Sequence, residues 1–82
     1  MSAGDPQILT RIGELVEEEN QLLNRHSETP LEGSEERRLK QVQVQLDQCW
    51  DLLNQRRALR EFGLDPDQAT VRDPDTVEGY LQ

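Results

Sequence analysis

Three places in this sequence have side chains that could do chemistry: Cys49, His26 and the acidic run Glu17-Glu18-Glu19. A cysteine becomes a nucleophile or redox sensor when a base partner or an electropositive setting holds its thiolate. A histidine becomes a metal ligand when other ligands converge on the same point. The carboxylates would need to meet one another to hold an ion or to divide acid and base roles.

None of these conditions is met by spacing. His26 is the only histidine. The Glu-x-x-His spacing of di-iron bundles is missing, because Leu23 stands three residues before it. Consecutive residues of a helix point about 100° apart, so Glu17, Glu18 and Glu19 cannot share one ion. Gly-rich phosphate loops, nucleophile triads and metal-ligand motifs are lacking as well. The sequence therefore offers no catalytic, cofactor-binding or metal-binding residues, and the expectation is a protein that is not an enzyme and needs no cofactor.

Basic residues form two clusters, Arg37-Arg38-Lys40 and Arg56-Arg57-Arg60. They could contact phosphates, but no aromatic interleaving or binding motif accompanies them. The whole chain of 82 residues carries a net charge of −8, with a pI near 4.5. That balance disfavours nucleic acid and anionic membranes. Residues 34–62 hold six bases against five acids, while both flanks are acidic. Pairing of the clusters with those flanks is the expected use of the arginines. A nucleic-acid-associated regulator using the second helix is the alternative.

The elements that must position these residues follow from apolar spacing. Ile8, Leu15 and Leu22 recur every seven residues, with Ile12 between them and Leu9, Val16 and Leu23 one step beyond. This is the wide apolar stripe of a bundle helix, expected over about 6–26, with Asp5-Pro6 as its opening. Pro30 and Gly33 break the pattern in a loop of about 27–33. Ser34 is the expected cap of a second helix, about 34–62, stopped by Gly63. Its stripe is Leu39, Val42, Leu46, Cys49 and Leu53, with Leu52 and Leu59 on one flank and Trp50 on the other.

The two stripes match head to tail. Ile8 aligns with Leu53, Ile12 with Cys49, Leu15 with Leu46, Glu19 with Val42, and Leu22 with Leu39. One register satisfies all five layers and puts the bend beside Pro30. The fold class expected is all-α: an antiparallel, coiled-coil-like two-helix hairpin over 1–62, with an extended acidic tail over 63–82. In that register Cys49 is a small core residue. Glu19 either reaches Arg38 or sets the register as a polar seam residue.

A lone hairpin leaves Leu9, Val16, Leu23, Trp50, Leu52 and Leu59 beside the seam rather than inside it. With only 33% hydrophobic residues, so short a chain buries a core with difficulty. Pairing of two hairpins into a four-helix bundle covers such a stripe. A homodimer is expected, with those six residues and Tyr80 of the tail as the candidate interface. The functional expectation is a non-enzymatic helical module that binds a protein partner. The single cysteine, the lack of a signal pattern at the N-terminus and the lack of a long apolar run suggest a cytoplasmic protein away from membranes.

Residues 7–19 and 46–58, centred on Leu46-Asp47-Gln48-Cys49-Trp50-Asp51-Leu52-Leu53, resemble a family of short actinobacterial proteins classed as a domain of unknown function. The ending Val77-Glu78-Gly79-Tyr80-Leu81-Gln82 is similar to that family's C-terminus. The resemblance implies a bacterial cytoplasmic setting. It brings no activity, ligand or site residues.

Overall fold

In a computed structural model of the chain, described here for residues 4–73, two long helices pack against each other. Helix α1 spans Asp5–Glu28 and helix α2 spans Gly33–Glu61. A single 3₁₀ turn follows at Pro66–Gln68. The hairpin expected from the two matching stripes is the architecture the chain forms.

The ends of the helices show how the sequence sets their limits. Gly4 occupies the N-cap of α1, so Asp5 and Pro6 are its first two helical residues. Pro is suited to that place, where its missing N–H has no helical partner. Glu32, not Ser34, holds the N-cap position of α2, and its backbone N–H donates to Glu35 Oε1 at 3.4 Å. The reciprocal Glu-x-x-Glu arrangement starts the helix earlier than a serine cap would. At the far end Gly63 takes φ +72, and its N–H donates to the Arg60 carbonyl at 3.0 Å. The Leu64 N–H reaches the Leu59 carbonyl at 2.8 Å. This pair of bonds is a Schellman stop, and it uses the left-handed backbone that glycine adopts without a Cβ penalty.

The core lies in the seam. Ile8, Ile12, Leu15, Val42 and Leu46 are buried together, with Cys49, Leu52 and Leu53 packed against them. Leu15 and Val42 are completely enclosed. Burying each such side chain contributes on the order of 1.5–3 kcal/mol. Leu22 and Leu31 extend the buried row towards the bend.

Polar contacts across the hairpin run in opposite directions along the two helices. Asp5 meets Arg56, Arg11 meets Gln45, Glu18 meets Arg38 and Arg25 meets Glu35. Partners descend α2 as they ascend α1, as antiparallel helices require. The acid on Arg38 is Glu18 rather than Glu19. Glu18 stands on the same side of α1 as Arg11 and Arg25, seven residues from each, and that is the side on which Arg38 and Gln45 emerge from α2. Glu19 points into the seam instead and is half-buried.

After Gly63 the chain turns back along α2. The Asp65 carboxylate accepts from the Asp67 N–H at 2.9 Å and starts the 3₁₀ turn. Ala69 is buried against the helix. The Thr70 carbonyl accepts from Gln55 Nε2 at 2.8 Å, and the Arg72 carbonyl accepts from Gln48 Nε2 at 3.1 Å. Residues 69–73 thus run antiparallel to α2 in extended form. No described helix is long and apolar enough to cross a membrane.

Candidate functional interface

Two kinds of surface surround the seam. The contacts Arg11–Gln45 and Glu18–Arg38 define one flank of the hairpin. Leu52 and Leu59 stand seven and fourteen residues after Gln45, so they belong to this polar flank. Both are half-buried. Leu9, Val16 and Leu23 leave α1 on the opposite side of the seam, and Trp50 leaves α2 on that same side. The six helical residues expected at an interface are therefore split four and two. Tyr80 lies outside the described residues.

The four on the open flank remain in water. Leu9 is 49% exposed, Val16 37%, Leu23 43% and Trp50 46%. Between the three α1 residues stand Gly13 and Asn20, both exposed. The row Leu9-Gly13-Val16-Asn20-Leu23 carries no charge. Each exposed row further round α1 carries at least one, as Glu14, Glu17 and Arg11 show. Gly13 has open space where a side chain would project. A mid-helix glycine costs about 1 kcal/mol relative to alanine, and among the described residues no neighbour makes use of the space.

A shallow groove continues this flank to the bend. It is lined by His26, Leu31, Glu36, Leu39, Lys40 and Gln43. The sole histidine thus borders the groove, exposed, at the end of the seam. Cys49 is half-buried against the core, and burial pushes its thiol pKa up, with Arg11 opposing weakly. A raised thiol pKa makes a poor nucleophile at neutral pH.

The arginines engage the acids. Arg56 is buried, and its Nε donates to Asp5 Oδ1 at 2.6 Å and its Nη1 to Asp67 Oδ1 at 2.9 Å. Arg60 reaches the other Asp5 oxygen at 2.7 Å. Hydrogen bonds from Arg60 and then Arg56 hold the Asp5 carboxyl below its ordinary pKa. Arg38 donates to both Glu18 oxygens, at 2.7 Å on Oε1, and lowers the Glu18 pKa in the same way. Arg56 of the second helix joins Asp5 of the first and Asp67 of the turn at one point, so this cluster ties three segments together.

Sequence reasoning missed one feature entirely. Asp51 is buried, and it accepts from Arg72 Nε at 2.9 Å and Arg72 Nη2 at 2.7 Å. Gln55 adds a third bond at 2.9 Å. Periodicity puts Asp51 on the outer face of α2, and no local signal marks it for burial. The returning tail alone covers it.

These features define a small all-helical hairpin with a stapled tail and one open apolar flank. The chain belongs to the family described as a protein of unknown function, DUF2630, whose profile spans residues 4–82. It is similar to an uncharacterised protein of Mycobacterium bovis and to uncharacterised proteins of two strains of Mycobacterium tuberculosis. Each is 49% identical over 78 residues, covering 93% of this chain and 88% of the relative. No solved structure matches the chain.

Proposed function

We propose that the chain is a non-enzymatic, cytoplasmic interaction module that works as a homodimer and presents the paired hairpins to a protein partner. The observation that carries this reading is the half-exposed, uncharged row Leu9-Gly13-Val16-Asn20-Leu23 with Trp50 beside it. A contiguous apolar strip rimmed by charge is the usual mark of a protein contact. On a molecule 49 × 25 × 20 Å, one long face offers about the 800 Å² per partner of a standard interface.

Arginine usage supports this reading over nucleic-acid binding. Arg38, Arg56 and Arg60 of the two basic clusters are engaged by Glu18 and Asp5, which would compete with phosphates for them.

Sedimentation equilibrium at micromolar concentration tests the proposal. The unaltered chain is expected at twice its 9.5 kDa mass. Val16→Glu is expected to sediment as a monomer with unchanged helicity, since Val16 lies outside the core cluster. A monomeric unaltered chain overturns the reading.

A further inference from the structure

The geometry points to a dimer in which two hairpins stack open flank to open flank in antiparallel orientation, with Trp50 of each copy seated in the bend groove of the other. This inference rests on the homodimer proposed above and supplies its symmetry and contacts.

A two-fold axis can stack these flanks in two ways. One places α1 on the partner's α1 with the hairpins reversed. The other places α1 on the partner's α2 with the bends together. The cross-helix pairs Asp5–Arg56 and Arg25–Glu35 fix which level of α2 lies beside each level of α1. In that register Leu9 is beside Trp50, Val16 beside Gln43, and Leu23 beside Glu36.

With the bends together, Val16 would face Gln43 of the second copy and Leu23 would face Glu36. Two apolar side chains would be buried against a polar and a charged group, which is unfavourable. With the hairpins reversed, the row on α1 meets itself about Val16. Leu9 then faces Leu23 of the second copy, and Val16 faces Val16. Gly13 faces Asn20, so the gap left by the missing side chain receives a longer one. The apolar members of the row, Leu9, Val16 and Leu23, are symmetric about Val16, which is what a self-complementary two-fold contact needs.

The same rotation treats α2 consistently. Trp50 comes to the level of Glu36 in the second copy, beside the groove lined by Leu31, Glu36, Leu39 and Lys40. An indole there covers the apolar floor formed by Leu31 and Leu39, with Lys40 one helical turn further along α2. Charges along α2 agree with this reversal. Lys40 comes level with Asp47 of the second copy. A half-exposed tryptophan and an open groove on one chain thereby become two equivalent filled sites in the pair.

Single cysteines on a Cys49→Ser background distinguish the arrangements, using a short bismaleimide. Val16→Cys is expected to cross-link to itself. Leu9→Cys and Leu23→Cys are each expected to give little product alone and strong product when mixed. All three positions are outside the core cluster, and helicity by circular dichroism checks each variant. Preferred cross-linking of Leu9→Cys to Trp50→Cys in a mixture overturns the antiparallel stack and leaves the homodimer standing. A monomer in sedimentation overturns both. A dimer that cross-links at none of these positions removes the open flank as its interface.

Discussion

Arg72 holds both carboxylate oxygens of Asp51, at 2.9 and 2.7 Å, and so fastens an extended segment to the outer face of α2. The bidentate geometry is the strong form of this ion pair. Asp51 would otherwise be an ordinary surface acid. Covered by the returning chain, it depends on that arginine.

Arg72→Ala should therefore release the segment and leave the hairpin intact. Cleavage by chymotrypsin after Leu64, or by elastase after Ala69 and Val71, should accelerate, while helicity changes little. The loss in stability should be about 1–3 kcal/mol, the range for leaving a buried charged acceptor with fewer partners. Unchanged proteolysis would show that Gln48 and Gln55 suffice to hold the tail.

The Asp5 and Glu18 pairs make stability depend on acid. Arginine hydrogen bonds lower the folded pKa of each carboxyl below its ordinary value, 3.8 for Asp5 and 4.5 for Glu18. A lowered folded pKa contributes stability that is complete above the ordinary value and is lost as pH falls through the folded one. Thermal midpoints should hold steady from pH 7 to 5 and fall below about pH 4.5. Asp5→Asn should lower the midpoint at neutral pH and flatten the decline in acid.

Cys49 should react slowly with iodoacetamide in the folded protein. Burial raises its thiol pKa, so little thiolate is present at neutral pH. Alkylation should speed up sharply in denaturant. Equal rates folded and unfolded would place the thiol in open water.

Trp50 is the only tryptophan, so its fluorescence reports pairing directly. Emission should shift to the blue and resist acrylamide quenching as concentration rises through the dimer range. Val16→Glu should show the exposed, red-shifted spectrum at every concentration. A concentration-independent spectrum in the unaltered chain would count against burial of Trp50 on pairing.

Gly13→Ala separates helix propensity from interface fit. On the Val16→Glu background its Cβ meets open space, and α1 should gain about 0.5–1 kcal/mol. In the unaltered chain that gain should shrink or reverse, because the added methyl occupies the gap assigned to Asn20 of the second copy. Paired thermal melts at high concentration measure the difference.

Much of the hairpin was legible along the chain. Ile8, Ile12, Leu15, Val42 and Leu46 repeat at helical spacing, and such a repeat by itself names the buried face. Pro30 and Gly63 mark the breaks for the same local reason, their restricted or permitted backbone angles. The exposed places of Leu9, Val16, Leu23 and Trp50 follow from the same count, since they fall one step outside the seam. Trp50 falls on the flank of α2 opposite Leu52 and Leu59 by the same count, but which of those flanks lies beside Leu9, Val16 and Leu23 was not legible, because it requires knowing which flank of each helix faces which.

What the sequence determined by itself is thus the periodic part: two helices, their seam and their order. Tertiary structure decided the contacts between segments that no period relates. It put Glu18 rather than Glu19 on Arg38, joined Asp5, Arg56 and Asp67 at one point, and buried Asp51 under Arg72. The physical reason is range. Apolar spacing and turn chemistry act over a few residues and leave a trace in each window of sequence. An ion pair between distant residues leaves none, because any acid and any base would read the same until the fold brings two of them together.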